Sequence, residues 1–96
     1  MPRLRWSSPA LLDVARLHRF LAPKSPEAAK RAVKTIRQGV KALSKHPEIG
    51  RLVDDLPLEF REWVIEFGHG AYIALYHYDG KQVVILAVRH GREAGY

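Results

Sequence analysis

Residues 71–90 read AYIALYHYDGKQVVILAVRH, two strand-like runs on either side of Asp79-Gly80. Both runs are rich in β-branched and aromatic residues, and an Asp-Gly pair between such runs is a strong signal for a tight hairpin turn. The second run is apolar at every position from Val83 to Val88, which is typical of an interior strand covered by helices on one side. This stretch therefore predicts a β-hairpin inside a larger sheet.

Two more strands are predicted outside this hairpin. The segment Glu62–Phe67 alternates and so places bulky apolar side chains on one face, and the Gly-His-Gly sequence of residues 68–70 forms a turn into the hairpin. Near the start of the chain, Arg3–Trp6 also alternates polar and apolar residues. Residues 46–59 contain two prolines, a glycine and an acidic pair, and we expect them to be irregular.

Two helices are predicted between the first strand and this irregular segment. Each begins at a Ser-Pro pair, Ser8-Pro9 and Ser25-Pro26, because serine caps free N–H groups and proline at the first helical position loses no needed hydrogen bond. The second helix ends near Lys45, since Pro47 pushes the preceding residue out of the helical region. The positions expected to face the core are Ala10, Val14, Leu17 and Leu21, widened by Leu11 and Ala15, and then Ala29, Val33, Ile36, Val40 and Leu43.

The predicted order is thus strand, two helices and three strands, within a single domain that spans residues 1–96. Packing a helical hairpin across one face of an antiparallel sheet buries the apolar sides of both layers. The sequence therefore predicts an α+β fold of order β-α-α-β-β-β. It leaves open which strand the first one pairs with.

The composition restricts the classes of partner. There are 16 Lys and Arg against 10 Asp and Glu, a formal net charge of +6, which favours nucleic acid, an acidic protein or an anionic membrane. The absence of Cys excludes a disulfide scaffold and a thiolate metal site. No apolar run is long enough to span a bilayer and the first residues do not resemble a signal peptide, so we expect a cytoplasmic protein with no membrane partner.

Lys30, Lys34, Arg37 and Lys41 recur at steps of four, three and four residues, so they form a basic stripe on one face of the second helix. This stripe is a candidate surface for an acidic macromolecule. Its alternative interpretation is an ordinary solvated helix face, because lysine and arginine are good helix formers.

A second candidate lies at the end of the chain, where Arg89 and Arg92 flank His90 and Tyr96 follows. Arginines neutralise phosphate, and histidine or tyrosine can move a proton, which together suffice for RNA cleavage without a metal. Arg61 could join them from the middle of the chain. The alternative interpretation is again a solvated, charged terminus.

Other kinds of site find little support. The five histidines, at positions 18, 46, 69, 77 and 90, include no pair at the three- or four-residue spacing of ligands on a helix. The serines lie at helix starts or on a helix surface, and there is no glycine-rich phosphate loop. We therefore expect no metal ion, no cofactor and no serine nucleophile.

Five short segments, in order along the chain, carry a resemblance to a known family. They are SPEAA at residues 25–29, HPEIGR at 46–51, FREW at 60–63, YIALY at 72–76 and VRHGRE at 88–93. In their order and spacing the chain resembles the RelE/ParE superfamily of bacterial type II toxins, most closely its ParE branch, from Leu4 to Tyr96. The resemblance implies the fold predicted above and a growth-inhibiting toxin that is silenced by a cognate antitoxin.

The superfamily divides by target: ParE-like members inhibit DNA gyrase, and RelE-like members cut mRNA on the ribosome. Asp54 and Asp55 follow the second helix where a cleaving member would need cations, since neighbouring carboxylates do not stabilise the extra negative charge of a transition state. We therefore expect gyrase inhibition by binding, with no catalytic residues. In the alternative, ribosome-dependent mRNA cleavage, the resemblance assigns catalysis to Arg61, Arg92 and Tyr96. An inactive relative, or one with a different target, is the third interpretation.

Under the gyrase interpretation, gyrase or its complex with DNA contacts a positive surface. That surface consists of Lys30, Lys34, Arg37, Lys41, Arg89 and Arg92. The antitoxin should offer an apolar, net acidic segment that covers the same surface and orders on binding. A homodimer or a toxin–antitoxin heterotetramer is compatible with this pattern.

Overall fold

The computed structural model describes residues 1–93 and 95–96 and contains two helices and five strands. The elements are β1 (Arg3–Trp6), α1 (Ser8–Leu21), α2 (Pro26–Lys45), β2 (Arg51–Leu52), β3 (Phe60–Phe67), β4 (Gly70–Tyr78) and β5 (Gln82–His90). The predicted α+β fold is confirmed. The short strand β2 is an addition to the predicted order, and two residues carry too little pattern to be recognised as a strand.

The five strands form one sheet in the order β1-β5-β4-β3-β2. Three of its four pairings are antiparallel, but β1 runs parallel to β5, so the sheet is mixed rather than wholly antiparallel as expected. A parallel pairing needs a long connection between its strands. Here the connection comprises both helices and three strands, and no local sequence pattern records the direction in which such distant segments meet.

Both Ser-Pro pairs mark helix starts, although the first cap lies one residue earlier than predicted. The extended residue Ser7 caps α1, and its Oγ accepts a hydrogen bond from the Ala10 N–H at 3.2 Å. Ser25 caps α2 as predicted, with its Oγ accepting from the Ala28 N–H at 3.1 Å. Each cap satisfies one of the free N–H groups of a first helical turn.

The core lies between the helical hairpin and one face of the sheet. The spacing correctly predicted the buried face of each helix, except that Ala32 is buried in α2 where Val33 was expected. Leu11 is also an exception, because 55% of it is exposed. At Gly39 an added Cβ would lie 2.7 Å from Ile65, so the missing side chain is what lets α2 approach β3 this closely.

A β-bulge interrupts the alternation of side chains between the two faces of β5. Leu75 pairs with Ala87 and Tyr76 with Ile85, so Leu86 is an extra residue. Because of this residue Ile85 and Val88 both face the helices, although they are three positions apart, and both are buried. The bulge explains why the buried positions of β5 depart from strict alternation after Ile85.

The start of α1 supplies hydrogen-bond partners to the bulge. Ser7 Oγ donates to the Leu86 carbonyl at 3.2 Å, and the Ser7 N–H donates to the Ile85 carbonyl at 2.9 Å. The Val88 N–H donates to Asp13 Oδ2 at 2.9 Å. β1 ends at Trp6, which pairs with Ile85, so these bonds satisfy backbone groups of β5 at and beyond the end of β1 and attach α1 to the sheet.

Asp13→Ala should therefore lower the free energy of unfolding by about 1–3 kcal/mol, because the Val88 N–H would remain buried without its acceptor. Asp13→Asn keeps a side-chain oxygen and should lose less than about 1 kcal/mol. Urea denaturation of both variants checks this. Equal losses in the two variants would mean that the charge of Asp13, which also lies 3.8 Å from Arg16, matters more than the hydrogen bond.

Candidate functional site

A groove runs between α1 and α2 and continues to the end of β1. It consists of two adjoining hollows of about 450 and 690 Å³ that share His18, Val33 and Arg37. Its apolar lining comes mainly from Trp6, Leu11, Val14, Ala15 and Val33. We call this surface the hairpin groove.

All four cations of the basic stripe border the hairpin groove: Lys30, Lys34, Arg37 and Lys41. Each is exposed, and Arg19 of α1 adds a fifth cation at the other end. The stripe was predicted from helical spacing, but its position beside an apolar hollow was not. Leu11 was assigned to the core; instead it lies in the groove, where it adds exposed apolar surface beside the cations.

The groove thus combines two kinds of attraction. Apolar surface in a concave site favours burial of a partner's apolar side chains, while the surrounding Lys and Arg favour carboxylates. An amphipathic segment with acidic residues has the complementary chemistry. The groove therefore has the properties of a docking surface for an acidic partner.

Residues 46–50, which follow α2, form a second feature: a segment that is hydrogen-bonded to Tyr76 of β4. The fully buried phenol donates to the Pro47 carbonyl at 2.8 Å and accepts from the Gly50 N–H at 2.9 Å. Arg61 NH1 donates to the carbonyls of Glu48 and Gly50 at 3.1 and 2.8 Å. A Cβ on Gly50 would lie 2.6 Å from the Tyr76 oxygen, so this position requires glycine. The segment is held by structural contacts.

The end of the chain folds over the sheet face that the helices do not cover. There Tyr96 donates a hydrogen bond to Glu62 Oε2 at 2.5 Å, and the Arg89 guanidinium lies 5.1 Å from the centre of the Tyr96 ring. Arg51 Nε donates to the other oxygen of Glu62 at 3.1 Å. Arg89 also donates to the carbonyl of Glu93 at 3.0 Å. We call the set Arg51, Glu62, Arg89 and Tyr96 the tail cluster.

Hydrogen bonds at Glu93 attach the tail to α1. Glu93 Oε1 accepts from the His90 N–H at 3.0 Å and from Arg16 NH1 at 3.2 Å. Burial alone would raise the pKa of the Glu93 carboxyl, but these donors outweigh it and the pKa lies below its ordinary value. The carboxylate therefore stays ionised near neutral pH and keeps the tail in place.

The protonation of Tyr96 limits its chemistry. Burial, and then the hydrogen bond and charge of Glu62, raise the pKa of the phenol well above its ordinary value, and Arg89 only partly opposes them. The phenol is therefore protonated at neutral pH and already donates its proton to Glu62. In this arrangement the phenol acts as a hydrogen-bond donor to Glu62.

The three residues of the cleavage alternative do not come together. Neighbouring strand residues point to opposite faces, so Arg61 lies on the helix side of the sheet, while Glu62 and its partner Tyr96 lie on the other side. Arg92 is exposed, and its N–H donates to His90 Nδ1 at 3.1 Å. The predicted positive surface also divides, since Arg89 belongs to the tail cluster and the four α2 cations belong to the hairpin groove.

Two of the histidines pack against aromatic rings, His77 on Phe60 and His90 on Tyr72. In the part of the chain that the structure describes, no three His, Asp or Glu side chains converge as a metal site would require. No helix among those residues is long and apolar enough to cross a membrane.

This combination of fold and surfaces agrees with the comparisons to known proteins. Residues 4–95 match the family described as the ParE toxin of the type II toxin–antitoxin system parDE. The chain belongs to the ParE toxin family of type II toxin–antitoxin systems. It is accordingly a toxin of such a system, with a cognate antitoxin as partner.

Two relatives of this ParE-family toxin carry names from different branches. Toxin RelE3 of Caulobacter vibrioides is 32% identical over 81 residues, which cover 84% of this chain and 85% of that one. A structure of the chromosomal ParDE system from P. aeruginosa has a TM-score of 0.80 at 26% identity, and covers 94% of this chain and 96% of its own. These names agree on the superfamily and divide on the branch.

Tyr76→Phe should lower the toxin's free energy of unfolding by about 1–3 kcal/mol, because the Pro47 carbonyl and the buried Gly50 N–H lose their partner. Tyr78→Phe, in the same strand, removes a partly exposed phenol and is the control. Thermal or urea unfolding gives the comparison. A Tyr76→Phe variant as stable as the control would show that the phenol does not hold residues 46–50.

Tyr76→Phe should also change how the toxin's free energy of unfolding depends on pH in alkaline solution. Burial raises the pKa of Tyr76, so the unfolded chain loses this proton first as the pH rises above about 10. The unfolded state then binds fewer protons than the folded state, and the free energy of unfolding falls. Tyr76→Phe removes this group and should make that fall less steep.

Proposed function

We propose that this toxin inhibits DNA gyrase by binding, in the cytoplasm, and that it performs no covalent chemistry itself. The observation that carries the proposal is the hairpin groove, where four cations of α2 line one hollow and Arg37 continues into the adjoining apolar hollow. Such a surface suits a large acidic partner such as an enzyme bound to DNA. The match to the ParE family supports the same target.

The state of the tail cluster supports a binding role over catalysis. Cleavage of RNA without a metal needs a proton acceptor and cations arranged around one phosphate. Tyr96 is protonated and bonded to Glu62, and Arg61 lies on the opposite face of the sheet. Glu62 also places a carboxylate where a phosphate would have to approach.

Ribosome-dependent mRNA cleavage is the second candidate. Two observations favour it: a relative that covers 84% of the chain is named as a RelE toxin, and Tyr96 lies against Arg89. In that mechanism the tail would have to leave Glu62 before the phenol and the arginine could reach a phosphodiester. The two candidates therefore differ in whether the groove or the tail carries toxicity.

A supercoiling assay with purified gyrase and relaxed plasmid separates them. We expect the toxin to inhibit supercoiling and Lys34→Glu/Arg37→Glu to weaken inhibition by roughly tenfold or more, because charge reversal replaces attraction by repulsion. Lys24→Glu/Lys81→Glu is the matched control, with the same change of net charge at exposed residues outside the groove.

In the same assay Tyr96→Phe should inhibit gyrase as well as the unaltered toxin does, because Tyr96 belongs to the tail cluster and lines neither hollow of the hairpin groove. Translating ribosomes provide the parallel measurement. Normal supercoiling together with cut mRNA, and loss of cutting in the Arg92→Ala/Tyr96→Phe variant, would replace gyrase by the ribosome as the target.

We also propose that the antitoxin neutralises the toxin by laying an apolar, acidic segment in the hairpin groove. The groove's exposed Leu11 and flanking cations support this complementarity. The protein encoded beside the toxin gene is the natural probe. Its affinity should fall roughly tenfold in Lys34→Glu/Arg37→Glu, and rising salt should weaken it, since exposed charges are screened.

Hydrogen exchange gives a second readout for the antitoxin. Binding should protect α1 and α2 of the toxin and order the antitoxin segment. Two results would contradict this placement: an antitoxin segment of net positive charge, or an antitoxin affinity that does not change in the Lys34→Glu/Arg37→Glu variant.

A further inference from the structure

A second exposed surface has the opposite character to the groove. Residues 48–59, here called the acidic loop, contain four carboxylates and one guanidinium, in a chain whose net charge is +6. That one guanidinium, on Arg51, is paired with Glu62 of β3. The loop also exposes leucines to solvent: Leu52, Leu56 and Leu58 are 51%, 42% and 73% exposed.

Exposed leucines next to aspartates are chemically complementary to the hairpin groove, which combines apolar surface with Lys and Arg side chains. Leu56 and Leu58 present exposed apolar side chains, and Asp54 and Asp55 lie one to four residues before them. The opposite charges come from Arg37, which lines both hollows of the groove, and from Lys30, Lys34 and Lys41, which line one of them. Charge complementarity of this kind orients two surfaces, and apolar burial stabilises their contact.

The loop does not reach the groove of its own molecule. The groove ends at Trp6 of β1, whereas residues 53–59 of the loop connect β2 to β3, at the opposite edge of the sheet. Neither hollow of the groove is lined by a residue of the loop, and Leu52, Leu56 and Leu58 of the loop are exposed. A contact between loop and groove therefore has to join two copies of the chain.

We infer that, without antitoxin, the acidic loop of one toxin molecule docks in the hairpin groove of another. The two surfaces differ, so the contact is head-to-tail, and each added copy leaves one free groove and one free loop. The antitoxin competes for the same groove and dissolves the assembly. This inference depends on the chemistry of the groove and not on the identity of the toxin's target.

Sedimentation velocity of the purified toxin alone tests the contact. At about 0.05 M salt the mean mass should rise steadily with protein concentration, and at about 0.5 M salt the association should weaken roughly tenfold or more. A toxin that stays monomeric over the whole concentration range at low salt would overturn the inference.

Two variants test the head-to-tail geometry. Lys34→Glu/Arg37→Glu disables the groove and keeps the loop, while Leu56→Ser/Leu58→Ser disables the loop and keeps the groove. Each should be monomeric alone, with Lys24→Glu/Lys81→Glu associating like the unaltered toxin. All six positions are exposed, and circular dichroism checks that each variant is folded.

Mixing the groove variant with the loop variant is the decisive step. The intact loop of the groove variant can then bind the intact groove of the loop variant. The altered groove and the altered loop cannot bind each other. The mixture should form a 1:1 dimer that does not grow with concentration. Association of both variants alone, as strong as that of the unaltered toxin, would instead indicate a different interface and refute the proposed one.

Antitoxin binding distinguishes this inference from the proposal made for the antitoxin. The Leu56→Ser/Leu58→Ser variant should bind antitoxin with the affinity of the unaltered toxin, because its groove is intact. If the unaltered toxin binds antitoxin normally but does not self-associate, only the proposed loop–groove contact is refuted. If the toxin does not inhibit gyrase, the loop–groove contact is unaffected.

Discussion

The attachment of α1 to the β-bulge in β5 is the constraint on which the functional surface depends. Asp13 accepts from the Val88 N–H and Ser7 donates to the Leu86 carbonyl, so α1 has one position relative to the sheet. The bulge in turn directs Ile85 and Val88 into the core beneath the helices. Because α1 forms one wall of the hairpin groove, the shape of the groove follows from hydrogen bonds at the sheet.

The segment at residues 46–50 shows why the family is easier to recognise than the target. Its proline and glycine meet the buried Tyr76, and Arg61 joins it to β3. Buried polar groups tolerate few replacements, because a lost partner leaves an unsatisfied donor or acceptor. These residues are therefore determined by the fold. They identify the ParE family and carry no direct information about what the toxin binds.

Charge is distributed so that one molecule presents two complementary surfaces. The cations of α2 face outward because its opposite side is packed against the sheet with Ile36, Val40 and Leu43 fully buried. The acidic loop, by contrast, lies at the edge of the sheet, where it includes the edge strand β2 and exposes its leucines. A net charge of +6 conceals this asymmetry, and long-range attraction acts on each surface separately.

The sequence by itself determined every described helix and strand except β2, and the composition of the stripe. Local spacing was enough for both helices, the Asp79-Gly80 hairpin and the row of cations on α2, because these features depend on residues a few positions apart. The resemblance of five short segments was enough for the superfamily.

Tertiary structure alone decided the parallel pairing of β1, the bulge at Leu86 and the depth of the groove. It also placed Arg61 and Tyr96 on opposite faces of the sheet and Tyr96 against Glu62. Each of these features joins residues that are distant along the chain. No local pattern encodes such contacts, since they result from how the layers pack and not from the preference of any one segment.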